Sequence, residues 1–111
     1  MLVELKPNET VQDYLTEGKI AIVKFATTTC PPCKMLKPIF ENLAEKEDLS
    51  NVVFIAADAN EHPQASQYQV SSVPTLLFFK GSEVLGQNVG FVPENQLQDF
   101  LKNLEKKELI N

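Results

Sequence analysis

Ile20-Ala21-Ile22-Val23-Lys24-Phe25-Ala26 leads through Thr27-Thr28-Thr29 into Cys30-Pro31-Pro32-Cys33-Lys34-Met35, and this stretch decides the fold. Its first seven residues are apolar except Lys24, the pattern of a strand buried on both faces. From Cys33 to Glu47, the residues Met35, Leu36, Ile39, Phe40, Leu43 and Ala44 recur at spacings that trace one helical face. The two cysteines thus stand where a buried strand ends and a helix begins. A helix N-terminus presents unpaired N–H groups and a partial positive charge, both of which favour a thiolate over a thiol. Two intervening residues bring the sulfurs within disulfide reach. Proline is tolerated in the first turn, where its missing N–H has no helical partner. Such a pair suits a disulfide that forms and breaks repeatedly.

Working outward, Leu2 to Leu5 reads as a short first strand. Val11, Tyr14 and Leu15 predict a helix capped by Asn8 and closed by Gly18. Pro38 lies inside the helix after the cysteines and should kink it. Val52 to Ala57 is a further buried strand, and Pro63 to Tyr68 a short helix. Thr75 to Phe79 and Val84 to Val89 are strands joined by a hairpin around Gly81-Ser82. Pro93 to Lys107 predicts a closing helix with Leu97, Phe100, Leu101 and Leu104 inward. Phe25, Phe54, Phe78 and Phe79 read as core. This alternation predicts an α/β protein with a mixed central sheet covered on both faces. No internal repeat or linker divides the chain, so residues 1–111 are read as one domain.

Composition narrows the function. The 111 residues are 43% hydrophobic, with ten lysines, no arginine and fifteen acids, for a net charge of −5. That balance argues against a general nucleic-acid binder, which needs a basic footprint. No apolar run approaches the roughly 18 residues of a membrane span. Glu4 stands where a signal peptide would be apolar, and Glu108-Leu109-Ile110-Asn111 matches no lipidation or retention motif. The expectation is a cytoplasmic protein, in which two cysteines do not serve as a permanent staple. A zinc half-site is one other reading of the pair, but four ligands are needed and only His62 remains. Two inert buried thiols are another. His62 itself, before Pro63 in a loop, reads as a surface histidine, and Glu105-Lys106-Lys107-Glu108 as a solvated helix end.

From about Ile20 to Leu104 the chain resembles the thioredoxin family. The resemblance is carried by Val23-Lys24-Phe25-Ala26, by Cys30-Pro31-Pro32-Cys33-Lys34-Met35, and by Pro38 eight residues after the first cysteine. It continues with Asp58 at a strand end, Val73-Pro74-Thr75-Leu76, and Gly90 sixteen residues after Pro74. It implies a three-layer α/β/α fold with a five-stranded sheet in order 1-3-2-4-5 and four flanking helices. It implies that Cys30 is the exposed nucleophile and Cys33 the buried resolving thiol. The Val73-Pro74 bond should be cis and sit against the disulfide, letting Val73 pair with a substrate backbone as an added strand. The groove would be rimmed by Thr29, Pro31, Ser72, Val73, Gly90 and Phe91. The implied activity is protein-disulfide reduction, with a flavin-dependent thioredoxin reductase as electron donor, protein disulfides as substrates, and a monomer as the working state. No cofactor of the chain's own is implied.

The chain departs from the family pattern at three places. Thr29 stands where the family has tryptophan before the first cysteine. Pro31 replaces glycine, removing a backbone donor, and with Pro32 and Pro74 belongs to the set expected to tune the redox pair. Lys24 falls where the family has a buried acid beneath the active site, and Ala56 where it has the partner lysine. Lys24 either snorkels to the surface or lowers a cysteine pKa as a nearby ammonium. These departures keep two alternatives in view: a binding module with weak redox activity, and a glutaredoxin- or isomerase-like oxidoreductase.

Overall fold

Strand β2, Ile20–Ala26, occupies the centre of the sheet, as its apolar sequence requires. It pairs in parallel with β3, Val53–Asp58, and antiparallel with β4, Thr75–Lys80. Outside these lie β1, Leu2–Glu4, parallel to β3, and β5, Glu83–Val89, antiparallel to β4. The order is β1-β3-β2-β4-β5, the one the resemblance implies. The computed structural model describes residues 2–110, with side-chain surroundings through residue 106. The side chains of Lys107 and Glu108, read as part of a solvated helix end, lie outside the described residues.

Two apolar layers clasp the sheet. On one face Ile20 and Ile22 pack with Leu36, Phe40 and Leu43 of helix α1, Pro31–Ala44, and with Leu97 and Leu101 of helix α3, Glu94–Ile110. On the other, Ala21, Val23 and Phe25 pack with Val11 and with Ala65 of the short helix α2, Gln64–Gln67. The four phenylalanines read as core are buried. Phe40 and Phe54 meet edge to face at 5.2 Å, joining α1 to β3.

Three helices flank the sheet among the described residues, where four were expected. The segment after β1 forms a single 3-10 turn, Val11–Tyr14, capped by Thr10 rather than Asn8. Its donors are satisfied locally or from outside. The Thr10 N–H donates to Asp13 Oδ2 at 2.9 Å, and the Val11 N–H to Gln64 Oε1 at 2.9 Å. Leu15 is already extended, so no second turn follows. Gly18 closes no helix; its φ of +81° serves the turn in which the Lys19 N–H donates to the Thr16 carbonyl at 3.0 Å. At the β4–β5 hairpin, Gly81 has a φ of +57°, as a two-residue loop demands.

Helix α1 begins at Pro31, before the expected Cys33, and continues through Pro38. Met35, expected on its buried face, is 59% exposed, because the inward stripe is Cys33, Leu36, Phe40 and Leu43 and Met35 stands one residue, about 100°, off it. Phe100, also expected inward, is exposed on one side and packs edge to face on Phe78 at 4.7 Å.

Candidate active site

The loop from β2 delivers Cys30 to the N-cap of α1, and one turn later Cys33 points into the core. The two form a disulfide with their Cα atoms 5.2 Å apart. Cys30 is half-buried, whereas Cys33 is 3% exposed. Access therefore distinguishes two chemically identical thiols. Prolines at the first two helical positions remove two of the N–H groups that a helix end would offer. The Lys34 N–H is taken by the Cys30 carbonyl at 3.1 Å, leaving the Cys33 N–H to donate to Cys30 Sγ at 3.2 Å. That donor and the helix's partial positive charge both point at the sulfur of Cys30.

The opposite wall is the segment before β4. The Val73–Pro74 bond is cis. Cys30 Sγ lies 3.7 Å from the Val73 carbonyl oxygen. Below it the Thr75 hydroxyl donates to the Ser72 carbonyl at 2.7 Å, and the Gly90 N–H donates to the Pro74 carbonyl at 2.8 Å. Gly90 adopts a φ of +94°, open to glycine and unfavourable to other residues. Val73, Pro74 and Gly90 are thus brought to the cysteine pair, with Ser72 exposed beside them. Thr29, Pro31, Pro32 and Phe91 are exposed and adjoin Cys30, Cys33 or Gly90 in the chain. Phe91, next to Gly90 in the chain, is 40% exposed.

Other positions near the pair had no signal in the sequence. A pocket of about 350 Å³ beside Val73 is lined by Asn60, Ser66 and Ser71, together with Ser72, already named for the groove, and His62, read as a surface residue. His62 is not a surface residue: it is 2% exposed, with Nε2 3.4 Å from the Leu5 carbonyl oxygen. The Asp58 carbonyl accepts the N–H groups of Glu61 and His62, folding the loop after β3 under the end of β1. That long-range contact leaves no local pattern to read.

Lys24 does not snorkel to bulk water. It is 6% exposed, with Nζ 5.0 Å from the centre of the Phe40 ring. Burial pushes its pKa below the usual lysine value, against an upward pull from Glu41. The charge therefore costs folding free energy while it is present. Lys24→Met, which fills similar volume, is expected to stabilise the oxidised protein by an amount within the about 1–4 kcal/mol found when apolar residues replace buried ion pairs. A group whose pKa is lower folded than unfolded holds fewer protons in the folded state between the two values. The cost of Lys24 is thus full below its folded pKa and fades as pH rises towards the unfolded value of 10.5. The advantage of the methionine variant should shrink over the same interval. Chemical denaturation across pH measures this, and a methionine variant no more stable than the parent at neutral pH would contradict it.

A dithiol pair at a strand–helix junction, one sulfur accessible and one buried, facing a backbone edge, defines a thiol–disulfide oxidoreductase. The model of the thioredoxin family matches residues 2–103. The chain is 35% identical to the thioredoxin of Mycoplasmoides gallisepticum over 93 residues, covering 83% of this chain and 91% of the relative. It is 37% identical to the thioredoxin of Buchnera aphidicola over 101 residues, covering 90% and 92%. A crystal structure of Malassezia sympodialis thioredoxin superposes with a TM-score of 0.79 at 26% identity, covering 91% of this chain and 89% of that one. The chain belongs to the thioredoxin family, and its activity is protein-disulfide reduction by thiol–disulfide exchange. Among the described residues no helix is long and apolar enough to cross a membrane.

Proposed function

We propose that Cys30 attacks a disulfide of a protein substrate and that Cys33 resolves the resulting mixed disulfide, residues 1–111 acting as one domain. The observation that carries this is the contrast between a half-buried Cys30 facing the Val73 carbonyl and a buried Cys33 one turn behind it. The Cys30 thiolate forms a bond to one substrate sulfur and expels the other. Cys33 then attacks Cys30 Sγ, closes the internal disulfide and releases the second substrate sulfur, so that two electrons pass to the substrate. Pro31 and Pro32 restrict the donors around Cys30, and Pro74 seats the opposite wall. The oxidised pair is recharged by a flavin-dependent thioredoxin reductase, and the working unit is a cytoplasmic monomer.

Substrate lies along Ser72, Val73 and Gly90 with its backbone paired to Val73, while Thr29 and Phe91 line the rim. Phe91 supplies there the aromatic contact that Thr29 lacks. Phe91→Ala is expected to raise KM for a protein disulfide about five- to thirtyfold, the effect of 1–2 kcal/mol at an interface anchor. The rate with a small disulfide such as cystine should stay unchanged. Equal losses on both substrates would place Phe91 outside the groove. The function as a whole is tested by supplying thioredoxin reductase and a protein disulfide. Sustained turnover is expected; turnover sustained by glutathione alone would favour the glutaredoxin-like alternative.

A further inference from the structure

Beside the groove stands a second concavity that disulfide exchange does not use. A pocket of about 170 Å³ lies between β5 and α3. It is lined by the buried Phe78, Val92 and Leu97 and by Phe100, which meets Phe78 edge to face and keeps 44% of its surface exposed. Gln87, Asn88 and Gln96 complete the lining. The chain is 23% charged, yet among the described residues this lining carries no charge. An ionised group would be desolvated there without a partner, so the pocket suits a neutral occupant. Its volume is close to the about 150 Å³ of a cavity that holds a benzene ring. Gln87 and Gln96 are exposed, and their carboxamides make no hydrogen bond among the described residues, which leaves donors and acceptors for a passing backbone.

One glycine joins groove and pocket. The Gly90 N–H donates to the Pro74 carbonyl of the groove at 2.8 Å, and Asn88 Nδ2, in the pocket lining, donates to the Gly90 carbonyl at 3.3 Å. Val92 of the pocket follows Gly90 by two residues. Thr75 and Val89 pair at the groove end of β4 and β5, and Phe78 lies three residues along β4, about 10 Å at the rise of a strand. An extended chain leaving the groove covers that distance in about three residues. We propose that the pocket is a second substrate site, receiving a neutral aromatic side chain of the same polypeptide whose disulfide meets Cys30. The inference rests on the exchange reaction above and adds the kind of substrate favoured: a disulfide with phenylalanine or tyrosine a few residues away. The ring sits apart from the reacting sulfurs and is bound equally before and during their exchange. It therefore lowers KM and leaves kcat unchanged.

The test is a series of peptides with one internal disulfide, alike except that a single phenylalanine replaces serine at successive positions on either side of it. Their reduction is followed with thioredoxin reductase supplying electrons. With the unmodified protein, phenylalanine at one or two neighbouring positions on one side is expected to raise kcat/KM about tenfold over the all-serine peptide, through KM. Gln96→Glu then puts a charge into the lining. Gln96 is exposed in the first turn of α3, where an acid suits the helix N-terminus, so the fold is kept. In this variant the ratio of phenylalanine to serine peptide should fall to about one. A flat profile in the unmodified protein overturns the proposal and leaves the pocket to another occupant. A ratio that survives Gln96→Glu overturns it too, because the ring is then bound elsewhere. If no peptide of the series is reduced, the oxidoreductase reading itself fails, and the proposal with it.

Discussion

Cys30→Ser is expected to reduce disulfide turnover to the uncatalysed background, whereas Cys33→Ser should complete the first attack and stop as a covalent adduct with its substrate. The two outcomes differ because the sulfurs differ in access. Cys30 faces the groove at the helix N-cap and receives the Cys33 N–H at 3.2 Å, which suits it to attack an external disulfide. Cys33 is buried, and the sulfur it can reach is the one on Cys30. Serine at 33 leaves the backbone N–H in place and removes only the resolving nucleophile. Mass spectrometry of the intact protein after mixing with a protein disulfide reads the adduct directly. An adduct formed by Cys30→Ser and not by Cys33→Ser would exchange the two roles.

Phe40→Ala is expected to lower folding stability by about 3–5 kcal/mol, the usual cost of removing a fully buried phenylalanine. That is a large part of the 5–15 kcal/mol typical of a domain. Phe40 is fully buried, packs edge to face on Phe54 and covers the Lys24 ammonium. Its loss opens a cavity at the α1–β3 contact and removes the aromatic face from a buried charge. Denaturant unfolding measures the change. A loss below about 1 kcal/mol would mean that α1 re-seats on the sheet without this side chain.

The sheet was legible because its strands carry strong patterns. Ile20–Ala26 is apolar throughout save for one residue, and the strand order came with the family resemblance that Cys30, Pro38, Pro74 and Gly90 carry. The pair itself was legible for the same reason: its chemistry is local to a strand end and a helix start. What escaped depends on partners distant in sequence. The expected first helix is a single 3-10 turn that ends at an extended Leu15, and its first N–H, that of Val11, is held by Gln64, 53 residues away. His62 gave no hint of burial because the contact that buries it is with Leu5. Lys24 was visible as an anomaly, but not the pocket it shares with Cys33, since that pocket depends on the small side chain of Ala56 in the neighbouring strand.

The claim at the centre of this account is that Cys30 and Cys33 form one reversible two-electron couple. Equilibration of the purified protein against dithiothreitol buffers, quenched by alkylation and read by mass, tests it most directly. The expected result is a single reversible transition between a species with two alkylated cysteines and one with none, independent of protein concentration, at a potential near the reducing, thioredoxin-like end of the range. A protein that stays doubly alkylated under every buffer, or that oxidises only by linking two chains, would contradict the account.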